Sequence, residues 1–358
     1  MKRFDVRLAW GVVTTVVAAA LWLSPTAEAQ QRFSGVTLRV ATYGGGWDKA
    51  VHDFAGVQLE QQGLKIEYIT GTPRDNLAKL IAAKGRAAPF DVVEMADNTW
   101  VDTYEGGFLQ KIDLNKIPNK KDLLPTQYDE WKVASWVTEE GILYNTEKFK
   151  ELGIPAPQRY SDLLNPKLSG KVAVIDISPS GSVQLLVGAA TDAGGSIENL
   201  EPGFQWLRQM NAFKYWKVGA EAMTLLQTGD VYASTMHAGF AVQARRNNMP
   251  IGFVHPQVKT MKGILKEGWL GVIKGTKNAE AAELFINAYI AADTQLNLAK
   301  RRGVVPVNSV ARSQLAEDPL LKEIFLLDQA DVANMMRVDF TKIDLDDITR
   351  KWTRAVAK

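Results

Sequence analysis

Between residues 36 and 95 the chain repeats one pattern: a run of β-branched or alternating residues, a glycine or proline break, then helical spacing. Val36 to Tyr43 (VTLRVATY) ends in Gly44-Gly45-Gly46 and leads into a helical pattern from Trp47 to about Gln62. Leu64 to Thr70 (LKIEYIT) is followed by Gly71-Thr72-Pro73 and a helix that stops at Gly85, and Pro89 to Met95 (PFDVVEM) is a third strand. Strands alternating with helices require parallel βαβ units, and such sheets bind ligands outside the carboxyl ends of their strands. The expectation is an α/β fold with its site among those strand ends.

A second unit of the same kind follows. Thr138 to Tyr144 and Lys171 to Ile177 (KVAVIDI) read as strands, and Ser178-Pro179-Ser180-Gly181-Ser182 turns the latter into a helix from Val183 to about Ala193. Helices over Phe204 to Met210, Glu221 to Thr228 and Phe240 to Asn247 alternate with strands over Val231 to Met236 and Ile251 to Val254. Gly268 to Ile273 is a further strand and Asn278 to Lys300 reads as one long helix. With no repeat and no long linker, two lobes would be joined by short crossings.

Lys2, Arg3 and Arg7 precede an apolar run from Leu8 to Leu23, and Ala27-Glu28-Ala29 closes the segment. This is the order of a secretory signal peptide, so residues 1-29 are expected to be removed and the mature protein to be periplasmic. The chain contains no cysteine, which excludes disulfides, thiol catalysis and Cys-ligated zinc. Formal net charge is +2 over 358 residues, without a basic cluster, so no nucleic-acid partner is expected. Only three histidines are present and they are scattered, so no metal is expected, and no cofactor is expected either.

Candidate ligand-binding residues sit at the breaks. Tyr43 and Trp47 flank the triple-glycine turn, where backbone N–H groups face outward and aromatic rings can cover an organic group; a tight turn with Trp47 packed inward fits the same residues. Thr72-Pro73-Arg74-Asp75 reads as N-cap to N3, with Asp75 as the reciprocal capping carboxylate. Arg74 opposes the helix dipole there and needs a neighbouring anion, from Asp75 or from a ligand. Asp97 and Asn98 end a strand, as a turn-forming pair or as cleft groups. Ser180 and Ser182 open a helix, either as caps or as an anion site. His237 follows a strand and reads first as a structural histidine.

In order and spacing, YGGGW, GTPRDNLAKL, DVVEMADN, GILYNTEKF, GIPAPQRYSDLLNPKLSGKV, SPSGS, GDVYASTMHAGFAVQAR, KEGW, GVVPVN and DFTKIDLDDITRKWTRAV resemble bacterial solute-binding proteins of ABC importers, nearest the spermidine/putrescine and ferric/phosphonate branches. That resemblance implies a two-lobed type II periplasmic-binding-protein fold with a ligand cleft between the lobes. It divides the chain into lobe 1 (30-136 plus 257-312), lobe 2 (137-256) and a C-terminal helical segment (313-358), with crossings near Trp136 to Gly141 and Val254 to Gly263. It further implies a monomeric, non-enzymatic receptor that closes over a small charged polar solute and delivers it to a membrane permease, and it adds Trp269 to the ligand contacts. Leu270-Gly271-Val272-Ile273 after Trp269 lacks the acid of the polyamine branch. That departure leaves two ligand classes open, polyamines and carboxylates or phosphonates. An exported enzyme on the same fold is the alternative, although no GxSxG or HExxH pattern occurs, and a ligand-presenting sensor is a further one.

Overall fold

The computed structural model describes residues 32–84, 86–178 and 181–357; the expected signal segment and Ser180 lie outside these. Twelve strands are present among the described residues: β1 Thr37–Thr42, β2 Lys65–Thr70, β3 Val92–Ala96, β4 Leu109–Gln110, β5 Val133–Asn145, β6 Val172–Ile175, β7 Lys214–Trp216, β8 Ala233–His237, β9 Ile251–Val254, β10 Gln257–Val258, β11 Met261–Lys262 and β12 Ile264–Ile273. Ten of them form one sheet along the order β2-β1-β3-β12-β5-β8-β6-β7, with β4 beside β12 and β9 beside β5. The fold is α/β and two-lobed. One lobe is built on the parallel strands β1, β2 and β3, the other on parallel β6, β7 and β8.

The long antiparallel strands β5 and β12 carry the sheet from lobe to lobe. Val133 to Glu140 of β5 pairs with β12, while Glu140 to Tyr144 pairs with β8. Both strands are buried along nearly their whole length although they contain Glu139, Glu140, Lys266 and Glu267. Burying charge is tolerated only with partners, and each has one: Glu139 meets His255 at 2.6 Å, Glu140 meets Lys266 at 3.5 Å, and Glu267 meets Arg337 at 3.5 Å. The Glu140–Lys266 pair joins the two crossing strands to each other, the other two tie them to the segments around His255 and Arg337, and Glu139 also accepts the Leu326 backbone N–H.

The stretch expected as one helix over Asn278 to Lys300 is two, Ala279–Tyr289 and Ala292–Arg302. Ala291 is extended, and side chains satisfy the carbonyls that the break leaves open: Thr294 Oγ1 donates to Ala288 O, Gln295 Nε2 to Tyr289 O, and Asn308 Nδ2 to Ile290 O. The break keeps the apolar periodicity in register, which is why spacing alone did not expose it. At the C-terminus, the helix Leu345–Val356 packs on Glu201–Gln209 of the second lobe and buries Trp352 to 1% exposure.

Candidate functional site

At the C-terminal end of β1 the glycine turn brings Trp47 back over the sheet. Its indole N–H donates to Glu94 Oε2 at 3.1 Å, and the Trp136 indole N–H donates to Glu94 Oε1 at 2.8 Å. Tyr289 OH donates to Oε1 at 2.7 Å and Thr42 Oγ1 also donates to this carboxyl. One fully buried carboxyl therefore fixes two tryptophans, one opening the helix Trp47–Val51 and one on β5. Burial raises its pKa, and the hydrogen bonds from Thr42, Tyr289 and Trp136 oppose that rise. Tyr43 completes the aromatic group, its ring edge-on to Trp47 at 5.5 Å and to Trp136 at 6.1 Å. Gly268 is required opposite Trp136, since a Cβ there would lie 2.1 Å from the indole.

These aromatics form one wall of a cleft of about 270 Å³ whose other lining residues include Thr138, His237, Lys266, Arg302 and Val304. His237 comes from β8 of the second lobe, so the cleft lies between the lobes. Their backbones meet at its edge: a Cβ on Gly239 would stand 2.2 Å from Gly303 O. His237 Nδ1 accepts the Gly239 N–H and caps the helix Ala238–Arg246. Desolvation pushes its pKa down to about 4, so the ring is neutral and its other nitrogen is a donor. Lys266 is balanced by Glu140, whose carboxylate also accepts from Thr138 Oγ1 at 2.8 Å. Arg302 differs. It ends the helix Ala292–Arg302, and its buried Nε has no partner among the described residues. Among the described residues, no Asp or Glu lines this cleft.

Of the residues singled out in the sequence, the structure brings Tyr43, Trp47 and His237 together here. Asp97 lies next door at the start of the helix Asp97–Glu105. It accepts the Trp269 indole N–H at 3.0 Å and the Glu267 N–H at 2.9 Å, and Gln184 of the second lobe reaches it at 3.2 Å. Burial first, and the Glu267 charge second, push its pKa up to about 7. Trp269 is 4% exposed and lines no part of the cleft; its ring packs against the Lys132 ammonium. Ser182 donates to Ile177 O. The helix start at Gly181 already faces an internal carboxylate, because a Cβ there would lie 3.0 Å from Glu140 Oε2. An anion from outside would have to share that terminus with Glu140.

Arg74 and Asn98 are elsewhere, in a separate depression with Asp102, Asp344 and Asp346. The capping box read at Thr72 and Asp75 is present, and Arg74 shares its depression with these three acids. Trp136, Lys266 and Arg302 are cleft residues that sequence reading did not select. Arg302 had a weak signal, a cation just before Gly303-Val304-Val305, but two arginines closing a helix read equally as complements to its dipole. A larger hollow of about 890 Å³ between Phe149 and Leu168 is formed by one continuous segment. Its charged groups are satisfied internally, Arg159 by Asp192 and Asp162 by the backbone N–H groups of Gln158 and Arg159.

Comparison with known proteins agrees with the architecture. The curated gamma-aminobutyric acid-binding protein of Pseudomonas aeruginosa is 23% identical over 316 residues, covering 83% of this chain and 82% of that protein. Among solved structures, an ABC transporter from Clostridium perfringens superposes with a TM-score of 0.75 at 21% identity, over 89% of this chain and 100% of the other. The Atu4243 GABA receptor does so with a TM-score of 0.75 at 21% identity, over 90% and 98%. No helix among the described residues is long and apolar enough to cross a membrane. The sequence profile of the bacterial extracellular solute-binding proteins matches residues 49–323, more than half of the chain, and the chain belongs to that family.

Proposed function

We propose that this chain is the periplasmic, non-enzymatic receptor of an ABC importer and that its solute is a short amino carboxylate held between the lobes. The observation that carries this reading is Arg302, a cleft guanidinium whose buried Nε has no partner. A buried donor left unmade costs about 1–3 kcal/mol, which a solute carboxylate would recover through a charge-assisted pair. The neutral His237 ring adds a second donor from the other lobe. The solute's ammonium end lies against the Tyr43 ring, whose face attracts cations, because the Lys266 ammonium already faces the Trp136 ring at 5.6 Å. A volume of about 270 Å³ suits a solute of few heavy atoms. The curated relative named for gamma-aminobutyric acid supports the same class.

A polyamine is disfavoured by the cleft itself, since among the described residues it presents Lys266 and Arg302 and no carboxylate. On this reading the lobes rotate about β5 and β12 as the solute enters, and Gln184 to Asp97 is a contact of the closed state. A thermal-shift series with ω-amino acids, α-amino acids, phosphonates and putrescine tests it. The expected result is a rise in Tm with amino carboxylates and none with putrescine. A rise with putrescine alone would contradict it.

A further inference from the structure

Lys132 stands immediately before β5, held by a turn in which Asp129 N–H donates to Lys132 O and Asp129 Oδ1 accepts the Lys132 N–H. Its side chain turns inward. The ammonium lies 3.5 Å from the centre of the Trp100 ring and 4.0 Å from that of Trp269. Asp97, Glu267, Asp129 and Asp339 are the acids whose charges act on it. Two indole faces with carboxylates around them are the means by which proteins bind a free alkylammonium group. Trp269 is in turn oriented by its indole bond to Asp97, and Asp97 by the Glu267 N–H, so this wall of the cage is held by groups other than Lys132.

We propose that Trp100, Trp269, Asp97 and Glu267 form a binding site for a primary ammonium group, occupied in this protein by the tethered amine of Lys132. The lysine acts as an internal guest. Burial lowers its pKa and the surrounding carboxylates oppose that shift, so the cage favours the charged form that its own desolvation disfavours.

The lysine side chain beyond Cβ is three carbons and a nitrogen, the skeleton of n-propylamine. Lys132→Ala should therefore bind n-propylammonium, with saturable quenching of tryptophan emission and a rise in Tm. Both should occur at concentrations at least about tenfold below any that move the unaltered protein. The neutral 1-propanol, of the same size, should give neither effect, and adding Trp100→Ala should abolish both. A folded Lys132→Ala protein that responds no more than the unaltered one, or equally to 1-propanol, overturns the proposal. Should Lys132→Ala not fold, Lys132→Val with methylammonium reads the same cage: folding restored by the amine supports the site, and no folding with it overturns the site. None of these readings depends on which solute the cleft takes.

Discussion

Replacing Arg302 by alanine is expected to weaken binding of the solute by at least about thirtyfold, because truncating one partner of a buried charge pair costs about 2–5 kcal/mol. The lower end is expected, since the guanidinium is partly exposed before the solute arrives. Stability should change little. The side chain has no ion pair among the described residues to lose, and it places a cation at the end of the helix Ala292–Arg302. Arg302→Lys should fall between, keeping the charge but losing the planar fork. Arg74→Ala should leave affinity unchanged, as Arg74 sits with Asp102 and Asp344 outside the cleft. Isothermal titration of the three variants with the amino carboxylate of highest affinity checks the ordering.

The second large effect belongs to Glu94. Glu94→Ala removes the acceptor of Thr42, Trp47, Trp136 and Tyr289 together and leaves buried donors unmade. Each such donor costs about 1–3 kcal/mol, partly offset because a carboxyl with a burial-raised pKa no longer has to be desolvated. The expected net loss is about 3 kcal/mol, read as a lower urea midpoint with an unchanged slope. Solute affinity should fall as well, since both indoles lose the group that aims them. Glu94→Gln should cost less, as its oxygen keeps part of the acceptor capacity while its amide faces donors. A Glu94→Ala protein with unaltered stability would mean that the aromatic wall is held by packing alone.

The strands of both lobes were legible because Val36 to Tyr43, Leu64 to Thr70 and Lys171 to Ile177 combine β-branched residues with glycine or proline breaks. The crossing strands were read too short. In β5 and β12 the charges Glu139, Glu140, Lys266 and Glu267 interrupt the apolar pattern, and their burial depends on partners up to 187 residues away in sequence, such as Leu326 for Glu139. The lining of this cleft was legible where chemistry coincides with a break in structure, as at Tyr43, Trp47 and His237. It was hidden where a residue serves the cleft from inside a regular element. Trp136 lies in mid-strand and Arg302 at a helix end, and the sheet order β1-β3-β12-β5, with the helix Trp47–Val51 packed on Ala292–Arg302, brings them beside Tyr43. Trp269 shows the reverse: an aromatic at a strand position suited to a ligand is satisfied instead by Lys132 and Asp97.

A crystal structure with the solute bound tests the central claim most directly. The account predicts the solute between the lobes, its carboxylate within about 3.2 Å of the Arg302 guanidinium and its chain against Tyr43 and Trp136. Solute seated instead beside Arg74 and Asp102, or in the hollow between Phe149 and Leu168, with the Arg302 cleft holding only water, would contradict it.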